Sequence, residues 1–189
     1  MKRRPLLDLV ERYAKRYPDE SGVAATRKLV EGHASCFERA CLPGHITASA
    51  WISSEDGSRF LLTHHRKLGR WLQLGGHADG DTDVVGVARR EACEESGMLE
   101  FDLLPDVDGS PLLDIDVHVI PARKQEPAHE HHDMRVLLVA REGQELAISD
   151  ESLDLRWFDW SELEAVGDQD ESILRLARKA RRRLSAAGK

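Results

Sequence analysis

GGHADGDTDVVGVARREACEESGM, residues 75–98, is a glycine- and aspartate-rich loop followed by a helical stretch. On a helix of 3.6 residues per turn, positions i, i+3 and i+4 share a face, so Glu91, Glu94 and Glu95 project together. Carboxylates gathered that closely repel one another unless a cation sits among them, and hard divalent ions such as Mg²⁺ prefer oxygen ligands. Taken alone, the same spacing also describes a solvated acidic helix face. Val84, Val85, Ala88 and Ala92 make the expected buried stripe of this helix. Asp81 or Thr82 is placed to cap it, Asp83 suits its positive end, and Gly97 suits a left-handed C-cap.

The longer pattern separates the two readings. Arg90-Glu91-Ala92-Cys93-Glu94-Glu95-Ser96-Gly97-Met98, with Gly76 as the opening glycine, resembles the Nudix box. The box pattern is G, five residues, E, seven residues, then R-E-U-x-E-E-x-G-U, U being bulky and apolar. Strict counting puts Thr82 at the upstream glutamate position, with Asp81 beside it as a substitute carboxylate. The resemblance implies a Mg²⁺ site (Mn²⁺ as the alternative ion) formed by Glu91, Glu94, Glu95 and the backbone carbonyl of Gly76. It implies an inward, loop-fixing role for Arg90, whose other reading is a helix-surface pair with Glu94.

The chain has 189 residues, enough for one domain with an extension. Its formal net charge of −7 argues against non-specific attraction to nucleic acid or to an anionic membrane. No apolar run reaches 18 residues, and MKRRPLLDLVERYAKRY lacks the apolar region of a signal peptide. Three cysteines suit a reducing, cytoplasmic setting better than a disulfide framework. His33, Cys36, Cys41 and His45 loosely match zinc-ligand spacing, against the reading of two small apolar cysteines.

Upstream of the box, Leu6, Leu9, Val10, Tyr13 and Tyr17 mark a helix over residues 5–17, ended by Pro18. A second helix, capped by Asp19 or Ser21, is expected to run to about Arg39. These helices either cover a face of the domain or make a homodimer contact. Ile46, Ala48, Ala50 and Ile52 alternate with polar neighbours as a strand with one apolar face, and residues 59–64 form its hairpin partner. The patch from His64 to Lys67 and the short strand from Trp71 to Leu74 follow. Arg66, Trp71 and His77 are candidate substrate contacts there.

Downstream, residues 112–120 alternate, with Leu113, Ile115, Val117 and Val119 opposite Asp114, Asp116 and His118. The loop between Pro121 and Pro127 carries Arg123 and Lys124. His129-Glu130-His131-His132-Asp133 opens a strand that becomes apolar from Met134 to Ala140. Alternation places His129, His131 and Asp133 on one side, and Glu130 and His132 on the other. Glu130 and His131 are candidate proton carriers, and His129 and Asp133 candidate substrate contacts, in a polar cleft wall. A strand over residues 153–157, a helix capped by Ser161 and a last helix from about Asp170 to Leu184 complete the pattern. The basic run over residues 178–183 reads as helix-end charge or as an RNA contact.

The expected fold class is α/β: a Nudix-type α/β/α sandwich with a mixed sheet. Residues 1–42 form an N-terminal helical extension and residues 43–189 the domain proper. The resemblance implies hydrolysis of a phosphoanhydride in a nucleoside diphosphate linked to another moiety, a small-molecule nucleotide substrate. A catalytically silent nucleotide-binding regulator, favoured by Thr82, and an RNA-processing hydrolase, favoured by the basic tail, are the alternatives.

Overall fold

A computed structural model describes residues 3–123, 126–166 and 171–189. In chain order its helices are α1 (Arg4–Arg16), α2 (Ser21–Gly32), α3 (Val84–Ser96), α4 (Leu163–Val166) and α5 (Glu171–Ala186). Its strands are β1 (Gly44–Ser53), β2 (Arg59–His65), β3 (Arg70–Leu72), β4 (Leu74–His77), β5 (Phe101–Leu103), β6 (Leu112–Ile120), β7 (His129–Ala140) and β8 (Ser152–Asp159). The eight strands form a mixed sheet, in which β1 and β7 run parallel from the pair Gly44 and Glu130 to the pair Ser53 and Val139. β4 lies antiparallel on the first half of β1 and β2 on its end, while β5 and β6 both pair with β7.

Helices cover both faces, which is the three-layer arrangement expected. Leu6, Val10, Val30, Val84, Ala88 and Ala92 share one core with Ile46, Ala48, Ala50 and Ile52 of β1. Ile173, Leu176, Ala177, Ala180 and Leu184 of α5 share the other with Trp51, Phe60 and Leu137. The N-terminal helices therefore cover a face of the sheet; α2 comes so close to β6 that a Cβ on Gly22 would sit 2.8 Å from the Ile115 carbonyl.

Several local expectations change. β1 is buried on both faces, not one, because helices lie on either side and its hydroxyls are used internally. α2 stops at Gly32, where His33 turns extended, so Phe37 enters the core from a turn instead of a helix. Cys36 and Cys41 are free, buried thiols that serve as small apolar groups, and they join no metal-binding cluster among the described residues. The expected strand over residues 71–74 is two, β3 and β4, separated at Gln73. Asp159, not Ser161, opens the capping box before α4, paired with Glu162. The start expected at Asp170 lies outside the described residues, as does Lys124.

The largest departure is in β6, which is buried on both faces from Leu112 to Asp116, so its acidic side is enclosed along with its apolar one. Asp114 is 0% exposed while Val119 is 65% exposed. Buried carboxylates require partners. Asp114 receives Arg135 at 3.3 Å, Arg175 at 2.8 Å and Lys179 at 2.6 Å; Asp116 receives Arg135 at 3.2 Å and Arg175 at 2.7 Å. Burial alone would raise the Asp116 carboxyl, but His118, Arg135 and Arg175 outweigh it and hold it below the usual range. Lys179 also reaches Glu20 and the Tyr13 hydroxyl, tying α1 and α2 to α5. Arg183 donates to Asp106 and to the Leu112 carbonyl. The basic tail is thus partly an internal fastening, leaving Arg178, Arg181 and Arg182 exposed.

Candidate active site

The box helix α3 is fixed at both ends. Asp83, not Asp81 or Thr82, is its N-cap, its carboxylate accepting from the amides of Val85 and Gly86 at 3.2 and 3.1 Å. Gly97 closes the helix at φ 74°, where a side chain would be strained. Val84, Val87, Ala88 and Ala92 are buried against the sheet, so the adjoining arc of glutamates faces the edge of β4.

The three glutamates are not equivalent. Glu95 accepts from the Gly75 amide at 3.0 Å. Glu91 lies so close to Gly76 that a Cβ there would fall 2.5 Å from its Oε2. Glycine at 76 is what lets carboxylate and backbone meet. Glu94 points outward, its side chain 62% exposed against 16% for Glu91. Burial, with the charges of Glu91, Glu151 and Glu94 adding to it, pushes Glu95 up to about 8. Burial also raises Glu91, with the Arg90 guanidinium opposing it. Glu91 and Glu95 are thus strained toward protonation, and the oxygen donors of the three glutamates suit Mg²⁺ or Mn²⁺.

Arg90 donates to the His77 carbonyl at 3.1 Å and to Glu91 at 2.8 Å, and stands 3.8 Å from Glu94. It joins the helix to the end of β4 through backbone, with Asp81 acting only as a more distant charge. Asp81 itself accepts from the Asp83 amide. Glu151, in the loop before β8, carries no spacing signal in the sequence. It is nevertheless the fourth carboxylate acting on Glu91 and Glu95. Arg66 holds that loop by donating to the carbonyls of Asp150 and Ser152, both at 2.9 Å, so its guanidinium is structural. Trp71 packs edge-on to Phe158 at 4.8 Å with its ring half-buried.

The HEHHD segment alternates as its strand requires. His132 faces α2 and contacts Thr26 at 3.0 Å; Glu130 contacts the His132 ring at 3.2 Å. Asp133 is occupied by Thr47, Ser49, Gln73 and Arg135, at 3.1, 2.7, 3.3 and 2.9 Å. It belongs to the buried network and offers no free carboxylate to a ligand, contrary to its expected role as a substrate contact. His129 and His131 instead meet His45 and His77, with ring centroids 4.7–5.2 Å apart. Burial first, then the neighbouring imidazoles, lowers His131 to about 2. Burial and the Arg39 charge lower His77 to about 4. The His77 and His131 rings are neutral near pH 7, so His131 is a poor proton carrier.

Comparison with known proteins agrees with this geometry. The NUDIX domain model matches residues 43–177. No curated protein matches the sequence. Among solved structures, a C. elegans Ap4A hydrolase binary complex superposes with TM-score 0.55 at 20% identity, over 76% of this chain and 98% of that one. A NUDIX-family hydrolase from Clostridium perfringens gives TM-score 0.55 at 27% identity, over 76% and 97%. The NUDIX domain of Shewanella oneidensis NrtR, complexed with ADP ribose, gives 0.50 at 18%, over 84% and 97%. With the box helix, its glycine-lined neighbour strand and the matched span in agreement, the chain belongs to the NUDIX domain family.

Proposed function

We propose that this enzyme hydrolyses a phosphoanhydride bond in a nucleoside diphosphate linked to another moiety, in a reaction dependent on Mg²⁺ or Mn²⁺. The observation that carries the reading is the turning of Glu91 and Glu95 onto the Gly75–Gly76 backbone, with Glu94 exposed beside them. Glu91, Glu94, Glu95 and the Gly76 carbonyl would hold the ion. The chemistry supplied by a divalent ion held there would be neutralisation of phosphate charge and activation of water. Arg90 positions the helix against β4 through the His77 carbonyl, so the carboxylates stay aimed at one point. The attacking water's proton would pass to an exposed carboxylate, Glu94 or Glu151, since Glu130 is turned to His132 and His131 is enclosed by imidazoles.

The substrate class is supported by two neighbours of the same fold, one named an Ap4A hydrolase and one complexed with ADP ribose, both compounds being nucleotides with phosphoanhydride links. The silent-regulator reading is favoured by one observation: Arg90 is met by a backbone carbonyl and not by an acid from the Asp81–Thr82 turn. A panel of nucleoside diphosphate derivatives incubated with Mg²⁺ or Mn²⁺, with products identified by mass, tests the proposal. Release of a nucleotide and a phosphorylated remainder is expected. Absence of cleavage for every compound, together with calorimetric binding of ADP ribose, would establish the regulator instead.

A further inference from the structure

The imidazoles at the start of β1 and β7 have no task in the chemistry above. His45 is 2% exposed, and among the described residues neither of its ring nitrogens makes a hydrogen bond of good geometry, the Cys41 backbone being the one main-chain polar group beside it. Buried polar groups are ordinarily paired, so an orphaned imidazole calls for an unseen partner. The strand register supplies the company: His45 lies directly opposite His131, and Thr47, two residues on, lies opposite His77. One ligand nitrogen from each of His45, His77 and His131 lies within 4.8 Å of the others. Alternation along β4 turns the His77 ring to the other side of the strand from Glu91, so this cluster is separate from the carboxylates.

We propose that His45, His77 and His131 form a second metal site, for a borderline transition ion such as Zn²⁺, with His129 completing the coordination. Zn–N bonds of roughly 2.0–2.1 Å place the nitrogens of a tetrahedral site about 3.3–3.4 Å apart. Nε2 of His129 and Nε2 of His131 are already 3.3 Å apart. The Nδ1 of His129 meets the Pro127 carbonyl at 2.9 Å. A carbonyl only accepts, so that nitrogen carries the hydrogen and Nε2 is the atom turned to the cluster. An outer hydrogen bond of this kind is what orients metal-ligating histidines. Small rotations of His45 and His77 complete the contraction.

The donor set chooses the ion. Nitrogen-only donors select Zn²⁺, Co²⁺ or Ni²⁺ over Mg²⁺, whereas the box carboxylates have the opposite preference. The charged residues nearby cancel: Arg39 pairs with Asp79 at 2.5 and 2.7 Å. His118, 5.5 Å from the His131 ring, is engaged with Asp116.

The test is titration of the metal-stripped, full-length protein with Co²⁺ in excess Mg²⁺, following the visible d–d absorption of tetrahedral cobalt. One equivalent bound, with that absorption, is expected for the wild type and for the Glu94→Gln/Glu95→Gln variant. Loss of both is expected for His77→Ala/His131→Ala. His77→Gln, at a half-buried position, serves where the double variant does not fold, and it too is expected to lose the tetrahedral absorption. Thermal melting gives a second readout: Zn²⁺ should raise the midpoint of the wild type but not of the histidine variants. A wild type that takes up no Co²⁺ in excess Mg²⁺ would overturn the proposal. So would folded histidine variants that retain the signal, or a signal abolished by the glutamate substitutions alone.

Discussion

Replacing Glu95 by glutamine is expected to stabilise the metal-free protein while removing its activity. The carboxyl sits against the Gly75 amide, and burial with three like charges lifts it from 4.5 to about 8. Below pH 4.5 it is protonated whether the chain is folded or not, and contributes no difference. Between 4.5 and about 8 the unfolded chain ionises it and the folded chain resists, so stability is lost progressively as pH rises, and the loss is complete above about 8. At roughly 1.4 kcal/mol per unit the full penalty is at most about 5 kcal/mol, and about 3 kcal/mol once water at the rim is allowed for. Glutamine keeps an oxygen for the Gly75 amide and carries no charge. At pH 9 without metal, Glu95→Gln should therefore melt about 6–12 °C above the wild type. At pH 4 the two should coincide. Mg²⁺ should raise the wild-type midpoint at pH 9 and leave the variant unmoved, since only the wild type relieves its repulsion by binding. Differential scanning calorimetry across pH 4–9 reads all three. A gap that does not grow with pH would refute the account of Glu95.

Gly76→Ala sets a methyl 2.5 Å from Glu91 Oε2, so the carboxylate must swing away. Turnover should fall roughly 10²-fold from misplacement alone, with stability lowered by about 1–3 kcal/mol, as steady-state rates and urea melts will show. Arg135→Ala leaves Asp114, Asp116 and Asp133 short of a buried cation. A loss of about 3–5 kcal/mol is expected in denaturant unfolding, and a near-neutral result would contradict the role of that network. The same network sets the acid limit. Asp114 and Asp116 are held below their usual range, so their contribution is present above about pH 4 and disappears as pH falls through the folded values. Arg175→Met should flatten the acid limb of a stability–pH curve.

Much of this molecule is legible in its residues, because periodicity and capping are local. Leu6, Val10 and Tyr13 are buried on α1, and Ile173, Leu176, Ala177, Ala180 and Leu184 on α5, as a 3.6-residue period dictates. Gly97 ends α3 in the left-handed region for the reason glycine usually does. What stayed hidden was decided by partners distant in the chain. Asp114 looks like a solvent-facing residue until Arg135, Arg175 and Lys179 are brought to it from β7 and α5. Glu151 has no local signature; the pairing of β8 with β2 and the hold of Arg66 on its loop deliver it to the carboxylates. His45 was grouped by spacing with Cys36 and Cys41, yet its neighbours come from β4 and β7 through strand register.

The most direct measurement of the central claim is the rate of phosphoanhydride cleavage against Mg²⁺ concentration, for the wild type and for Glu94→Gln/Glu95→Gln, using a substrate identified by the compound panel. The carboxylates on α3 are held to bind the ion on which cleavage depends. The wild type should show a saturable Mg²⁺ requirement, and the variant should lose roughly 10³-fold or more while retaining its fold by circular dichroism. Undiminished cleavage in the folded variant, with the same dependence on Mg²⁺, would contradict it.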